Sequence, residues 1–421
     1  LTDVTENAAV TRAATNASDS WRVLIYGINY APEPIGVGRY SGEMGRYFAQ
    51  QGLAVEVITA VPHYPGWSPR DGYRNRYRGE QVDGVRLMRC PLLLRKEMRG
   101  LWRMLAPLSF AITSAPVAVW RILITRPHTV LCVEPTLFSA PIALLAAKIV
   151  GAKTVLHVQD LEVDAAFAIG HLHGGLLQKL ANAVERMTLR NFDAVVTISL
   201  HMQTQLESKG VPAKRLNLVR NWIDVEKIRP LDGPSTYRDE LALPVDAFVA
   251  LYAGNIGPKQ ALSVILEAAQ RSREKSGLVF VIAGDGPEKK RLVAQYGALP
   301  NVRFLPIQPE ERLCDLLNLA DVHLLPQDRG AADLVLPSKL GGMLASGKPS
   351  IVMADPGTEL YDFLGDGSII LPPGNCEALA AAIARLMDGA NTPILGSNGE
   401  RIAALDSRRN LPAFKKLLVS A

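Results

Sequence analysis

The 421-residue chain, 48% hydrophobic and 21% charged, exceeds what one ordinary core holds and calls for about two domains. Its four cysteines, Cys90, Cys132, Cys314 and Cys376, are scattered without a CxxC pair, which argues against a zinc site or a disulfide framework and for a reducing, cytoplasmic compartment. The net charge of +5 is concentrated in one segment and not spread over the chain.

Residues 1–20 are polar and rich in Ala and Thr, with no basic stretch leading into an apolar one, so they predict a disordered tail and no signal peptide. The first strand, RVLIYG, hands over to NYAPEPIGVGRYSGEM. A dinucleotide fingerprint would put GxGxxG directly after the strand and an acid at the end of the next one. Here nine residues, 28–36, follow Gly27, the pattern is Gly36-x-Gly38-x-x-x-Gly42, and the second strand ends in Thr59 and Ala60. NAD binding is weakened on both counts. Gly36 and Gly38 at a helix start still expose backbone N–H groups to an anion such as a diphosphate, beside the simpler role of a tight turn. His63 and Tyr64 follow the second strand and are candidates for the acceptor side.

Between residues 70 and 103 lie ten basic side chains against four acidic ones. The next stretch, LWRMLAPLSFAITSAPVAVWRILI (residues 101–124), is apolar but interrupted by Pro107 and Pro116, marginal for a bilayer span that takes about 20 apolar residues. Basic flank, Trp102, Trp120 and apolar face suit a segment lying on an anionic membrane surface; a buried core helix with a solvated charged neighbour is the competing expectation. Nucleic-acid binding is set aside, because the arginines belong to no recognition motif.

Short β-rich runs alternate with helical patterns through the chain, which predicts an α/β fold of two doubly wound, Rossmann-like domains facing across a cleft. The first half carries RVLIYG, AVEVITA, GVRLMRC, TVLCVE, TVLHVQ and DAVVTIS; the second carries FVALYAG, LVFVIAG, NVRFLP, DVHLLP, KPSIVMA and GSIILPP. The expected domains are residues 21–222 on the acceptor side and 241–395 on the donor side. A linker is expected at 223–240, and a helical segment at 396–421 able to pack back on the first domain. Ligands of such sheets bind at the carboxyl ends of the strands. In the second half these loops place Gly254, Asn255, Gly257 and Lys259 after one strand, Gly284 and Asp285 after the next, and Ser338 and Lys339 at a helix start.

The segments YAPEPIGVGRYSGEM, VPHYPGW, LHVQDLEVDAAFAIG, TISLHMQTQL, RNWIDVEKI, YAGNIGPKQAL, IAGDGPEKKRL and LVLPSKLGGMLASGKPSI follow one another in an order that resembles family 4 glycosyltransferases of the GT-B fold, nearest the colanic acid subgroup. The resemblance covers roughly residues 21–390. One departure matters. Many members carry two glutamates eight apart in the last motif, and the matching positions here are Leu334 and Gly342.

The resemblance implies a nucleotide-sugar donor, a lipid-linked saccharide acceptor in exopolysaccharide synthesis, and retention of anomeric configuration at the inner face of the bacterial plasma membrane. Lys259 and Lys339 would meet the charge growing on the leaving diphosphate, without a metal or other cofactor. Asp160 would orient or deprotonate the acceptor, with an N-cap as its structural alternative. His157 would touch the donor sugar or its phosphate. Glu162 and Asp164 add acids to the same loop, but hydrolysis would need two acids from separate elements. A non-catalytic scaffolding subunit and a nucleotide-sugar epimerase of the same architecture stay open.

Overall fold

The computed structural model describes residues 20–64, 66–95, 101–134, 138–160, 175–329, 335–389 and 398–420. The chain divides into two units, one of Leu1–Ile198, Met202–Val219 and Leu411–Ala421, the other of Ser199–His201 and Arg220–Asn410.

The sheet of the first unit contains β1 (Arg22–Tyr26), β2 (Ala54–Ala60), β3 (Arg78–Val82), β4 (Val85–Cys90), β5 (Thr129–Val133), β6 (Lys153–Val158), β7 (Ala194–Thr197) and β8 (Leu216–Leu218), in the order β3-β4-β2-β1-β5-β6-β7-β8. The central runs are apolar at nearly every position because helices cover both faces; β5 is buried along its whole length. All neighbours are parallel except the hairpin of β3 and β4. Its turn is Asp83-Gly84, both at positive φ, 52° and 79°. This hairpin takes up part of the basic segment. Arg89 is 1% exposed and donates to Glu80 at 2.5 Å and to the Ala31 carbonyl at 2.7 Å, so it braces the unit from inside.

The apolar segment forms the helix Leu101–Thr125, with Pro107 and Pro116 inside it. Its window Leu105–Thr125 has a mean hydropathy of 1.5 and is the one helix among the described residues long and apolar enough to cross a membrane. One face is committed to the sheet. Phe110, Ala118 and Ile122 are buried, Ser114 and Tyr26 share a hydrogen bond of 2.6 Å, and Arg121 grips Glu56 with contacts of 2.5 and 2.9 Å. The other face leaves Ile112 at 66%, Trp120 at 53% and Ile124 at 60% exposed. The neighbouring helix Ala140–Val150 leaves Leu145 and Ile149 exposed.

The second sheet is wholly parallel: β9 (Phe248–Ala253), β10 (Leu278–Ala283), β11 (Val302–Leu305), β12 (Val322–Leu325), β13 (Ser350–Met353) and β14 (Ile369–Leu371), in the order β11-β10-β9-β12-β13-β14. Residues 223–240, expected as a linker, are part of this unit. Ile223 and Ile228 sit in a core cluster with Leu340 and Leu405, and Tyr237 is 2% exposed. Pro230 and Pro234 break strand pattern there without preventing burial. The C-terminal segment is shared: residues up to Asn410 belong to the second unit and the rest to the first. In the helix Ser407–Val419, Phe414 packs on Phe48 and on His157, and the Leu418 carbonyl accepts from Thr129 Oγ1 at 2.7 Å.

Candidate active site

In the second sheet β9 lies between β10 and β12, so the chain leaves β9 on one side and returns on the other, and the loops beyond these strands part at a topological switch point. The loops after β9 and β12 meet where Asp328 N donates to the Lys259 carbonyl at 3.2 Å. Loops after β9 and β10 approach even more closely. A Cβ on Gly284 would overlap the Gly254 carbonyl oxygen, and one on Gly286 would overlap that of Ile256. Ile256 N donates to the Asp285 carbonyl at 2.8 Å across the same seam. Gly284 and Gly286 are therefore glycine because another backbone occupies the space a side chain would need.

Lys339 is drawn into this corner. Its Nζ donates to the Tyr252 hydroxyl at 2.7 Å and lies 4.0 Å from the centre of the Tyr252 ring. Gly254, at φ 153°, leaves room for it: a Cβ there would sit 3.1 Å from Nζ. Burial pushes the Lys339 amine down to about 7 from an ordinary 10.5. Among the described residues no carboxylate pairs with it. Asn255, Lys259, Asp285 and Ser338 are exposed around the same loops. The Asn255 amide donates to Gln260 Oε1 at 3.3 Å, and Asp285 Oδ1 accepts from Gly286 N at 2.8 Å. Chemically, this is a close-packed backbone corner holding a partly desolvated amine with no carboxylate partner among the described residues, suited to an anion.

In the first unit the glycine-rich loop turns inward. Glu33 is 3% exposed and its carboxylate accepts from His63 N and Tyr64 N, both at 3.0 Å, and from Asn29 Nδ2 at 2.9 Å. His63 is buried, and its Nδ1 donates to the Val61 carbonyl at 2.9 Å. Tyr64 is 37% exposed, edge-on to Trp67. The helix Val37–Gln50 begins at Gly36, φ 65°, and rests on this loop through glycines. Added Cβ atoms on Gly38, Gly42 and Gly45 would strike Glu33, Ala31 and Tyr30 respectively.

Two family models match the chain, the glycosyl transferase 4-like domain over residues 36–222 and glycosyl transferases group 1 over residues 235–395. It is 41% identical over 374 residues to the colanic acid biosynthesis glycosyl transferase WcaI of Escherichia coli K12, an alignment covering 86% of this chain and 91% of that one. The chain belongs to the WcaI-like family 4 glycosyltransferases. Solved structures share its GT-B fold. A sucrose-phosphate synthase from Thermosynechococcus elongatus is 18% identical with a TM-score of 0.70, covering 94% of this chain and 98% of its own. Anabaena HepE, solved with UDP and glucose, is 15% identical with a TM-score of 0.66, covering 95% and 100%.

Several site residues expected for this glycosyltransferase stand elsewhere than their motifs suggested. The space over Gly38, expected to receive a diphosphate, is filled by the Glu33 carboxylate, itself an anion, so Gly38 serves helix packing. Gly36 has φ 65° at the start of the helix, as a tight turn requires, with only Tyr64 Cε1 3.8 Å from where its Cβ would be. His157, expected to touch the donor sugar or its phosphate, is the fifth residue of β6, and strand alternation turns its ring onto Phe414, centroids 4.9 Å apart. It is 1% exposed, neither ring nitrogen finds a partner among the described residues, and burial pushes it down to about 3. Such a ring is neutral near pH 7 and belongs to the core. Asp160, two residues past β6, is exposed. Glu162, Asp164 and Leu334 lie outside the described residues. Gly342 is buried in the helix Leu340–Ala345, with Leu317 Cδ1 3.0 Å from where its Cβ would be. A glutamate at this position would have to displace that leucine.

Tyr252, Glu33 and Lys289 were not singled out by sequence. Lys289 Nζ donates to the carbonyls of Gly284 at 2.6 Å and Leu305 at 3.0 Å, tying the β10 loop to the end of β11. In YAGNIGPKQ the tyrosine reads as one more apolar strand residue.

Proposed function

We propose that this glycosyltransferase moves a sugar from a nucleotide-sugar donor to a lipid-linked saccharide, with retention, in synthesis of an exopolysaccharide of the colanic acid type. The observation that carries the donor reading is Lys339, a desolvated amine with no carboxylate partner among the described residues, beside the bare backbone of Gly254 at the switch point of the sheet. HepE bound to UDP and glucose, and WcaI with its named pathway, support it by analogy. Breaking the bond to a diphosphate builds negative charge on the leaving group. A desolvated cation stabilises that charge far better than one in water, and Lys259 at the rim adds to it. The acceptor hydroxyl attacks on the face the leaving group departs from and gives its proton to the departing phosphate. Asp160 orients that hydroxyl, with His63 and Tyr64 on the acceptor side. In this reading no metal is needed, since lysines take the role of a divalent ion.

The test is thermal stabilisation by UDP-, GDP-, ADP- and dTDP-sugars, with metal chelated. Ligand at a hundred times its Kd stabilises by about 2.7 kcal/mol. One nucleotide class should raise Tm; no response from any of them would remove the donor reading. The leucine-filled space beside Gly342 favours a second reading, a non-catalytic partner subunit, which sugar release from any donor eliminates.

Membrane attachment is part of the proposal. The basic loop is tied to the apolar helix by Tyr77 Oη donating to the Thr113 carbonyl at 2.9 Å and Thr113 Oγ1 to that of Pro91 at 2.6 Å. Exposed Arg74, Arg76, Arg86 and Arg95 therefore lie near a helix whose outer face carries Ile112, Trp120 and Ile124. Together they match an anionic lipid surface. Flotation with phosphatidylglycerol vesicles should recover the protein at low salt and lose at least about tenfold on Ile112→Glu/Ile124→Glu, each buried CH₂ contributing about 0.8 kcal/mol. Equal flotation of both proteins would show that this face does not meet lipid.

A further inference from the structure

We propose that Tyr252 is the positioning residue for Lys339, holding its ammonium at the carboxyl end of β9 by contacts that, among the described residues, are all neutral, so that an arriving diphosphate supplies the counter-charge. The second half of this rests on the nucleotide-sugar reading above; the first half does not.

Tyr252 is 0% exposed, and its hydroxyl donates to the Asn255 carbonyl at 2.5 Å. That bond uses the only proton the phenol has, so towards Lys339 it acts as acceptor. Burial pushes the phenol up from its ordinary value, which keeps it protonated and uncharged. The carbonyl it serves is fixed in turn. Gln260 Oε1 accepts from the Asn255 amide at 3.3 Å and from Gly257 N at 3.2 Å, closing the loop after β9. The ammonium is thus located by a hydroxyl, the ring face beneath it, and the bare Cα of Gly254.

Lys339 is half-buried, and the fully buried cations among the described residues are treated differently. Arg89, Lys209 and Arg220 are each at most 8% exposed, and each pairs with a glutamate, Glu80, Glu185 and Glu359 respectively. A paired cation is structural, because its charge is already satisfied and a second anion would have to compete for it. A cation resting on a phenol is located equally well and keeps its charge available. The chain therefore places a tyrosine where a structural site would carry a carboxylate.

The experiment is an NMR titration of the lysine Cε resonances in ¹³C-lysine-labelled full-length protein, with Lys339 assigned by its disappearance in Lys339→Met. Tyr252→Phe keeps the ring and removes the acceptor. Its Lys339 midpoint should fall by about one pH unit, a tenfold change in ionisation. Adding UDP, GDP, ADP or dTDP to the unmodified protein should raise the midpoint, a readout that needs no variant to fold. At pH 7 Tyr252→Phe should bind the preferred diphosphate about tenfold more weakly, and the deficit should shrink on acidification as both amines become charged. Identical midpoints in the two proteins would overturn the positioning role. A lowered midpoint in Tyr252→Phe, with no diphosphate binding to either protein, would leave Tyr252 as the holder of Lys339 and overturn the anion half with the donor reading.

Discussion

Lys339→Met is expected to give a protein that is more stable than the parent at neutral pH and at least about a hundredfold slower in sugar transfer. Burial lowers the amine to about 7 against 10.5 in an unfolded chain. Between those values the unfolded state binds more protons than the folded one, so the lysine depresses stability, and the deficit is fully present below pH 7. It fades as pH rises through that window and vanishes above 10.5. Methionine fills similar volume without a charge, so its advantage in Tm should be largest at pH 6 and smaller at pH 9, by about 2–4 °C for each kcal/mol in units of this size. Activity should move the other way. Loss of one preorganised partner for a developing negative charge typically costs about 10²–10³ in kcat. A lysine that costs stability at the pH where the enzyme works is the signature of a functional group. A Met variant with lower Tm at pH 6, or with unimpaired turnover, would contradict this assignment.

Gly284→Ala should unfold the second unit at a temperature lower by roughly 6–12 °C, for a cost of about 3 kcal/mol. The new Cβ would overlap the Gly254 carbonyl oxygen and lie 3.0 Å from its carbon, at a residue whose φ is 146°. Backbone on both sides leaves no flexible side chain to yield. Relief requires parting the loops after β9 and β10, which would carry Gly254 away from Lys339. Gly277→Ala separates the two effects. That glycine also has positive φ, 78°, but its nearest neighbour is the Asp246 carbonyl oxygen at 3.9 Å, so only conformational strain of about 1 kcal/mol is expected. Calorimetry of both variants decides the matter: equal losses would mean that backbone approach at Gly284 contributes nothing beyond φ.

The strands that were legible are those buried on both faces. LVFVIA is six buried residues in succession, and its apolar run needs no partner to be recognised. β3 escaped because RGEQV is an exposed edge strand without an apolar run; the Asp83-Gly84 pair was the one signal for its hairpin. Gly38, Gly42 and Gly45 recur at helical spacing, so a stripe of contact on one helix face was readable, whereas the Glu33, Ala31 and Tyr30 that meet it were not. His157 shows the same limit from the other side. Its place in β6 fixes which face of the sheet it joins, yet what covers that face is Phe414, from the far end of the chain.

Local pattern therefore determined the α/β class and the succession of strands and helices. Burial writes a period into the sequence wherever an element meets a core, and turns demand particular residues. Folding alone decided that a carboxylate would occupy the glycine loop and that Tyr252 would hold an amine 87 residues away. Those outcomes depend on distant backbones approaching to within the radius of a single atom, and spacing along the chain carries no record of such an approach.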